Sequence, residues 1–357
     1  SLHSAVSGMR AGASDYFSIP VDTERLQANL NSLADNDKTP DATVDKSGRG
    51  ILIGECPAMQ RLYRLLRKVS VTELSVMLVG ESGTGKELAA RTIYELSPRD
   101  AQEFVAINCG AIPAELMESQ LFGHVKGAFT GATKNHKGFF ERASGGTLFL
   151  DEITEMSADL QVKLLRVLEM GTFMPVGSEN EKTTDVRLIS ATNRDPEQAV
   201  AEGVLREDLY YRLAQFPVQL PPLRERGDDI ELLARHFLTA ENEARAIDKD
   251  FSGEALEALR MHDWPGNVRE LKNAVMRAHV LAGNEIGLDD LPNEVPSSGA
   301  TRAGRVRVSV GMSIKDVERR LIFATLEQND GDRQKTAEML GISPKTLYNR
   351  LKQYHID

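Results

Sequence analysis

The sequence predicts an α/β protein of the three-layer, mainly parallel-sheet class, followed by a helix-rich stretch and an all-α carboxyl-terminal module. Three observations carry this. Short apolar runs alternate with helical patterns from residue 51 to about residue 221, the order that builds parallel sheets. A glycine-rich turn directly follows the first of these runs. Near the carboxyl end, two helical patterns flank the tight turn Gly341-Ile342-Ser343.

The glycine-rich turn is Gly80-Glu81-Ser82-Gly83-Thr84-Gly85-Lys86, placed after Ser75-Val76-Met77-Leu78-Val79 and before a helix expected to begin near Lys86. Buried strand, glycine turn and helix are the context that makes a G-x-x-x-x-G-K match a phosphate-binding loop. The glycines let backbone N–H groups converge on an anion, and the helix N-terminus adds partial positive charge. Lys86 then reaches the outer phosphates, so ATP with Mg2+ is the expected cofactor. Glu87 stands where the general pattern has the Ser or Thr that helps hold Mg2+, so another group must supply that ligand. A glycine turn without a ligand is the plain alternative.

At 357 residues the chain is long enough for two or three domains. Its apolar fraction of 41% and charged fraction of 27% are those of an ordinary globular protein. No run approaches the roughly 18 apolar residues that span a bilayer, and no basic-then-apolar leader opens the sequence. Cys56 and Cys109 are not spaced among histidines as zinc ligands, and His124, His136 and His262 show no ligand spacing either. No transition-metal site is expected, and a reducing cytoplasm is. The net charge of −10 argues against a protein that coats nucleic acid with its whole surface. From residue 300 to 357, however, eleven Lys and Arg stand against seven Asp and Glu, which points to one DNA-binding end.

In chain order, residues 1–34 contain the strand-like Asp15-Tyr16-Phe17-Ser18, then Pro20 and an amphipathic segment from Asp22. Gly12-Ala13-Ser14-Asp15-Tyr16-Phe17-Ser18-Ile19-Pro20 resembles the G-A-x-D-Y-L-x-K-P close of a response-regulator receiver domain, as in two-component systems. The resemblance implies the carboxyl-terminal part of a receiver whose phosphorylated aspartate would precede residue 1. Ile19 replaces the lysine that reads the phosphoryl group, so phospho-switching is not carried over. A docking helix unrelated to receivers is the alternative. Residues 35–50 are polar and aperiodic, a linker.

Five strands are expected: Ser75 to Val79, Glu103 to Ile107, Gly146 to Leu150, Val186 to Ala191 and Gln215 to Leu220. Ligands bind at the carboxyl ends of such strands, where the glycine loop, Asp151-Glu152 and Thr192-Asn193 fall. Leu148-Phe149-Leu150 ends in two adjacent carboxylates. Asp151 is suited to orient Mg2+ through its waters, and Glu152 to polarise an attacking water. Taken alone, a strand ending in an acidic helix cap has the same appearance.

With these residues in place, the stretch from about Ile51 to Asp357 resembles the AAA+ ATPase activators of sigma-54 RNA polymerase, the NtrC family of bacterial enhancer-binding proteins. Its most specific element is Gly127-Ala128-Phe129-Thr130-Gly131-Ala132, the GAFTGA motif, after Leu121-Phe122-Gly123-His124. Physically, an aromatic on a glycine-flanked tip suits a contact loop; a hairpin with Phe129 folded into the core is the alternative. The resemblance implies that this loop meets sigma-54. Val125 stands where the family usually carries a glutamate.

The resemblance also implies that Asn108 pairs with Glu152, that Asn193 senses the γ-phosphate, and that Arg206 and Arg212 act as arginine fingers donated to a neighbouring subunit. Read without it, Asn108 and Asn193 are strand-end residues that satisfy turn backbone, and the two arginines are surface residues paired with Glu207 and Asp208. Residues 222–291 are expected to form a helical lid in which Trp264-Pro265-Gly266-Asn267-Val268-Arg269-Glu270-Leu271 matches sensor II, with Arg269 reaching nucleotide. Asn267 and Arg269 are otherwise readable as a helix start. Residues 292–312 are a second linker, and 313–357 resemble a Fis-type helix-turn-helix. There Ser343 caps the second helix at Pro344, while Lys345, Thr346, Asn349, Arg350 and Lys352 are the expected DNA-contacting residues. A dimerisation bundle with a solvated charged face is the alternative.

The expected function is therefore an ATP-driven transcriptional activator. It binds double-stranded DNA at an enhancer-like site, assembles into a ring, a hexamer by resemblance, and remodels the closed complex of sigma-54 RNA polymerase holoenzyme. A DNA-binding repressor that keeps the AAA+ fold, or a general AAA+ remodelling ATPase, are the competing readings. The GAFTGA motif weighs against the first, and the helix-turn-helix against the second.

Overall fold

The computed structural model of the chain describes residues 52–99, 102–292, 295 and, with gaps, 318–353. The receiver-like reading of residues 1–34, the linker at 35–50 and nearly all of the linker at 292–312 lie outside the described residues.

A first helix, α1 (Pro57–Ser70), starts on Cys56, whose Sγ accepts the Met59 amide, with Pro57 at the first helical position. It leads into β1 (Val76–Val79), the glycine loop and α2 (Lys86–Glu95). Next come β2 (Phe104–Asn108), α3 (Ala114–Phe122), α4 (Phe139–Arg142), β3 (Thr147–Asp151) and α5 (Ala158–Met170). A hairpin of β4 (Thr172–Phe173) and β5 (Lys182–Thr183) precedes β6 (Arg187–Thr192), α6 (Pro196–Ala201), α7 (Glu207–Leu213) and β7 (Phe216–Gln219).

The five long strands form one parallel sheet in the order β2-β3-β6-β1-β7. All six residues of β6 are buried, as a central parallel strand covered on both faces requires. Alternate residues feed two cores: Met77, Leu148, Leu150 and Leu188 pack with α3, α5 and α7, whereas Val76, Leu78, Phe149 and Ile189 pack with α1 and α2. At the sheet's edge, β7 carries Pro217. The amides of Phe216 and Leu220 donate to β1 at Ser75 and Val79, so position 217 faces away from the ladder, where a missing N–H costs nothing.

The lid holds α8 (Asp229–Arg245), β8 (Asp250–Phe251), α9 (Gly253–Met261), α10 (Asn267–Leu281) and β9 (Glu285–Ile286). Its core gathers round Trp264, which is wholly buried and donates its indole N–H to the Leu259 carbonyl at 2.8 Å. The lid is not purely helical: β8 and β9 pair in parallel, and two-residue strands are too short to leave a periodicity in sequence. A buried ion pair, Arg226 with Asp229, ties the lid to the segment before α1. Asp229 Oδ1 accepts the amides of Glu55 and Cys56 at 2.7 and 3.1 Å.

At the carboxyl end, α11 (Arg333–Met339) and α12 (Pro344–Gln353) pack through Ala337, Leu347 and Leu351 onto Ile322. Asp332 caps α11, and Ser343 Oγ accepts the Thr346 amide at 3.1 Å to cap α12.

Candidate functional site

The strand register brings the site together. β1 ends at Val79 beside Thr192 of β6, and β2 ends at Asn108 beside Asp151 of β3. The glycine loop, Asp151-Glu152, Asn108 and the exposed Asn193 therefore line one carboxyl edge of the sheet, as expected for a ligand crevice. Gly83 and Gly85 adopt φ of 80° and 101°, conformations closed to most side chains, and turn the loop so that α2 begins at Lys86.

Lys86 is buried, and its Nζ donates to the loop's own carbonyls at Gly80 (2.7 Å) and Glu81 (3.0 Å). Burial pushes its pKa down, with Arg269 acting in the same direction, while the charges of Asp151 and Glu152 push it up. One ammonium thus feels the acidic pair and the lid arginine together. Glu87 is exposed on the first turn of α2.

Glu152 sits at φ 54° and ψ 47°, left-handed backbone that a non-glycine residue occupies at a cost. Asp151 Oδ1 accepts the Glu152 amide at 3.0 Å. The expected pairing of Asn108 with Glu152 is not made. Asn108 Oδ1 instead accepts the Ala111 amide at 3.0 Å, capping a short 3-10 turn, because a strand-end Asn meets the nearest unpaired amide first. Both side chains lie over Gly110, where an added Cβ would come within 2.5 Å of Glu152 Oε2 and 3.3 Å of Asn108 Oδ1.

The lid closes on the loop from the other side. Arg269 Nη1 donates to Ser82 Oγ at 3.0 Å, and the Val268 amide to the Gly83 carbonyl at 3.0 Å. Glu81 is held by Arg224, which sequence reasoning missed, and by Asn267, which it read only as part of the sensor II octet or a helix start. Arg224 grips its carboxylate at 2.9 and 2.6 Å, and Asn267 Nδ2 adds a bond at 3.0 Å. Arg224, and then Asn267, hold the Glu81 carboxyl down at about 2. A carboxyl depressed from 4.5 in this way adds stability that is complete above pH 4.5 and is lost as pH falls toward 2. Urea titrations are therefore expected to show Glu81→Gln less stable than the parent at pH 7, with the gap narrowing as pH drops below 4.5.

Arg206 and Arg212 lie apart from this cluster. Arg206, just before α7, forms an ion pair with Asp208 at 2.7 Å, while Arg212 donates to the Leu168 carbonyl at 2.7 and 3.2 Å. Neither hydrogen-bonds the glycine loop, and both are exposed.

The segment from Gly123 to Gly138 is a loop closed at its base by the His124–His136 bridge and braced by Val176. Within it Gly127 donates to the Ala132 carbonyl at 2.9 Å, so residues 127–132 make one tight turn. Gly127 and Gly131 have φ of 86° and 103° and open space around them. Phe129 is 42% exposed and rests edge-on against His124 at 5.0 Å, so it does not fold into the core. Ala128 and Thr130 flank it, Thr130 exposed. Val125 donates to the Val176 carbonyl at 3.1 Å.

On α12, Lys345 and Thr346 are exposed, with Tyr348, a residue sequence reasoning passed over. Arg350 pairs with Glu318 at 3.0 Å, an intramolecular partner that its expected role did not include. The side chains of Asn349 and Lys352 lie outside the described residues.

A parallel phosphate-loop sheet with its lid docked on the loop, followed by a helix-turn-helix, defines an ATPase of the AAA+ class joined to a DNA-binding module. Residues 52–219 match the family described as Sigma-54 interaction domain, 224–306 the AAA+ ATPase lid domain, and 313–354 the Bacterial regulatory protein, Fis family. The chain belongs to the sigma-54-dependent transcriptional activators of NtrC type, with an ATP-binding AAA+ domain. Among its relatives, Regulatory protein LuxO of Vibrio cholerae is 42% identical over 369 residues, covering 99% of this chain and 81% of that protein. NtrC of Rhizobium meliloti is 41% identical over 384 residues, covering 98% and 79%. Among solved structures, NtrX of Brucella abortus is similar at a TM-score of 0.66 and 32% identity, covering 99% of this chain and 80% of that one. NtrX in complex with ATP gives 0.64 and 31%, covering 100% and 81%.

Proposed function

We propose that this chain works as a ring, a hexamer by its resemblance, in which ATP hydrolysis drives the turn Gly127 to Ala132 against sigma-54. In this reading the α/β part is 51–221, the lid 222–291 and the DNA-binding part 313–357. The backbone of Gly80 to Gly85 and the side chain of Lys86 bind the phosphates, while Arg269 reaches them from the lid. Glu152 polarises the attacking water, and Asn193 senses the γ-phosphate. Arg206 and Arg212, free of the loop in their own subunit, serve the next one.

No group of three or more His, Cys, Asp or Glu among the described residues is placed to hold a metal ion. Of the carboxylates at this edge, Asp151 at the end of β3 would hold Mg2+ carried in by the nucleotide, through its waters. Lys345, Thr346 and the rest of the α12 face contact duplex DNA. No helix among the described residues is long and apolar enough to cross a membrane. The cytoplasm is the compartment this reading assigns, because its substrate is promoter DNA.

The observation that carries this reading is Phe129, an exposed aromatic at the apex of a glycine-closed turn on an ATPase domain. In the test, sigma-54 holoenzyme opens a promoter with ATP and either the parent or Phe129→Ala. The variant is expected to hydrolyse ATP within about twofold of the parent and to lose open-complex formation by about tenfold or more. A variant that opens promoters as well as the parent removes the turn from coupling. A parent that hydrolyses ATP and binds DNA yet opens none puts the repressor reading in its place.

A further inference from the structure

Within the phosphate loop, Glu81 is out of keeping with its neighbours. The loop gathers N–H groups and a lysine for a polyanion, yet its second residue is a carboxylate that would repel one. The structure turns that carboxylate to the lid. Arg224 holds both oxygens at 2.9 and 2.6 Å, and Asn267 Nδ2 bonds Glu81 Oε2 at 3.0 Å and the Ser82 carbonyl at 3.1 Å. Asn267 is fully buried and left-handed at φ 52°, and its Oδ1 accepts the Leu223 amide at 2.8 Å. Three consecutive loop residues, 81 to 83, are thus held by three consecutive lid residues, 267 to 269.

An added Cβ on Gly83 would lie 2.3 Å from the Gly266 carbonyl, so the two segments are in backbone contact. The reach of Arg269 toward the phosphates is set by this stitching.

We propose that Glu81 faces the lid and not the nucleotide, and that Arg224 is a positioning residue that neutralises it so that the polyphosphate can enter beside it. The proposal rests on the reading of the loop as an ATP site. It differs from the usual part of a glycine-loop residue, since Glu81 acts through Arg224 and Asn267 and touches no phosphate.

The test compares the parent chain with Arg224→Gln, Arg224→Lys, Glu81→Gln and the double Glu81→Gln/Arg224→Gln. A fluorescent ATP analogue gives Kd, steady-state hydrolysis gives KM and kcat, and thermal unfolding without nucleotide checks the fold. Arg224→Gln leaves a bare carboxylate at the loop and is expected to weaken binding about tenfold, raising KM far more than it lowers kcat. Arg224→Lys, which keeps the charge, and the double variant, which removes the carboxylate, bind within about threefold of the parent. Rescue by the second substitution is what loss of structure alone does not produce. A double variant as weak as Arg224→Gln, an Arg224→Lys as weak as Arg224→Gln, or an Arg224→Gln that binds like the parent overturns the proposal. Lys86→Ala is the reference: a parent that binds no better than Lys86→Ala overturns the ATP-site reading, and this proposal with it.

Discussion

Glu152→Gln is expected to bind ATP within about threefold of the parent and to hydrolyse it about 100- to 1,000-fold more slowly, the usual contribution of a positioned general base. The amide keeps the size and polar contacts of the carboxylate but cannot draw a proton from water. Backbone strain offers a competing explanation for any loss at this position, because Glu152 occupies φ 54°. Glu152→Gly separates the two. Glycine relieves the strain and is expected to raise the unfolding temperature, yet it leaves hydrolysis as low as glutamine does. Single-turnover hydrolysis with bound ATP is the measurement. Residual activity within about tenfold of the parent transfers the role to another carboxylate.

Trp264→Ala carries the largest expected stability effect, about 3–5 kcal/mol, the usual range for emptying a large aromatic site. Trp264 fills the centre of the lid, stacks edge-on against His262 at 4.5 Å and satisfies the Leu259 carbonyl. Its φ of 50° adds to the penalty for alanine little beyond what tryptophan already bears, so the cost is a cavity cost. It is the chain's single tryptophan, so parental fluorescence reports the lid directly, while circular dichroism follows the variant through urea. Trp264→Phe keeps most of the packing and strands the Leu259 carbonyl, for about 1–3 kcal/mol. If alanine costs less than phenylalanine, the lid core does not depend on this ring. Because Gly266, Asn267 and Arg269 follow directly, the loss is expected to weaken nucleotide binding as well.

The sheet was legible in the sequence because its three central strands are short, almost wholly buried runs that stop at a turn or polar residue: Gly80 after β1, Asp151 ending β3, Asn193 after β6. Hydrophobic runs and glycine spacing are local signals, and local signals survive without a structure. What escaped was either too short or too distant. The β4–β5 hairpin and the β8–β9 pair have two residues a strand and no measurable period. The grip of Arg224 on Glu81 spans 143 positions and that of Asn267 spans 186, so no spacing rule connects them. Asn108 carried two readings, a pairing with Glu152 from the resemblance and a strand-end Asn satisfying turn backbone, and the bond it makes here, from the Ala111 amide three residues on, is the second. The tail was read on its charge and turn, and Arg350 shows the limit of that method, since its contact with Glu318 depends on how an earlier helix packs.

Pro217 has a consequence for how copies of this chain can meet. Along β7 the outward-facing positions alternate with those bonded to β1, and proline removes the donor from one of them, leaving Gln219 to offer the strand's outward amide. A visiting strand would find a broken row of donors, so fibre-like growth through the backbone is disfavoured on that flank even when many subunits crowd together. Association there is left to side chains, which can be specific about partner and angle and can let go.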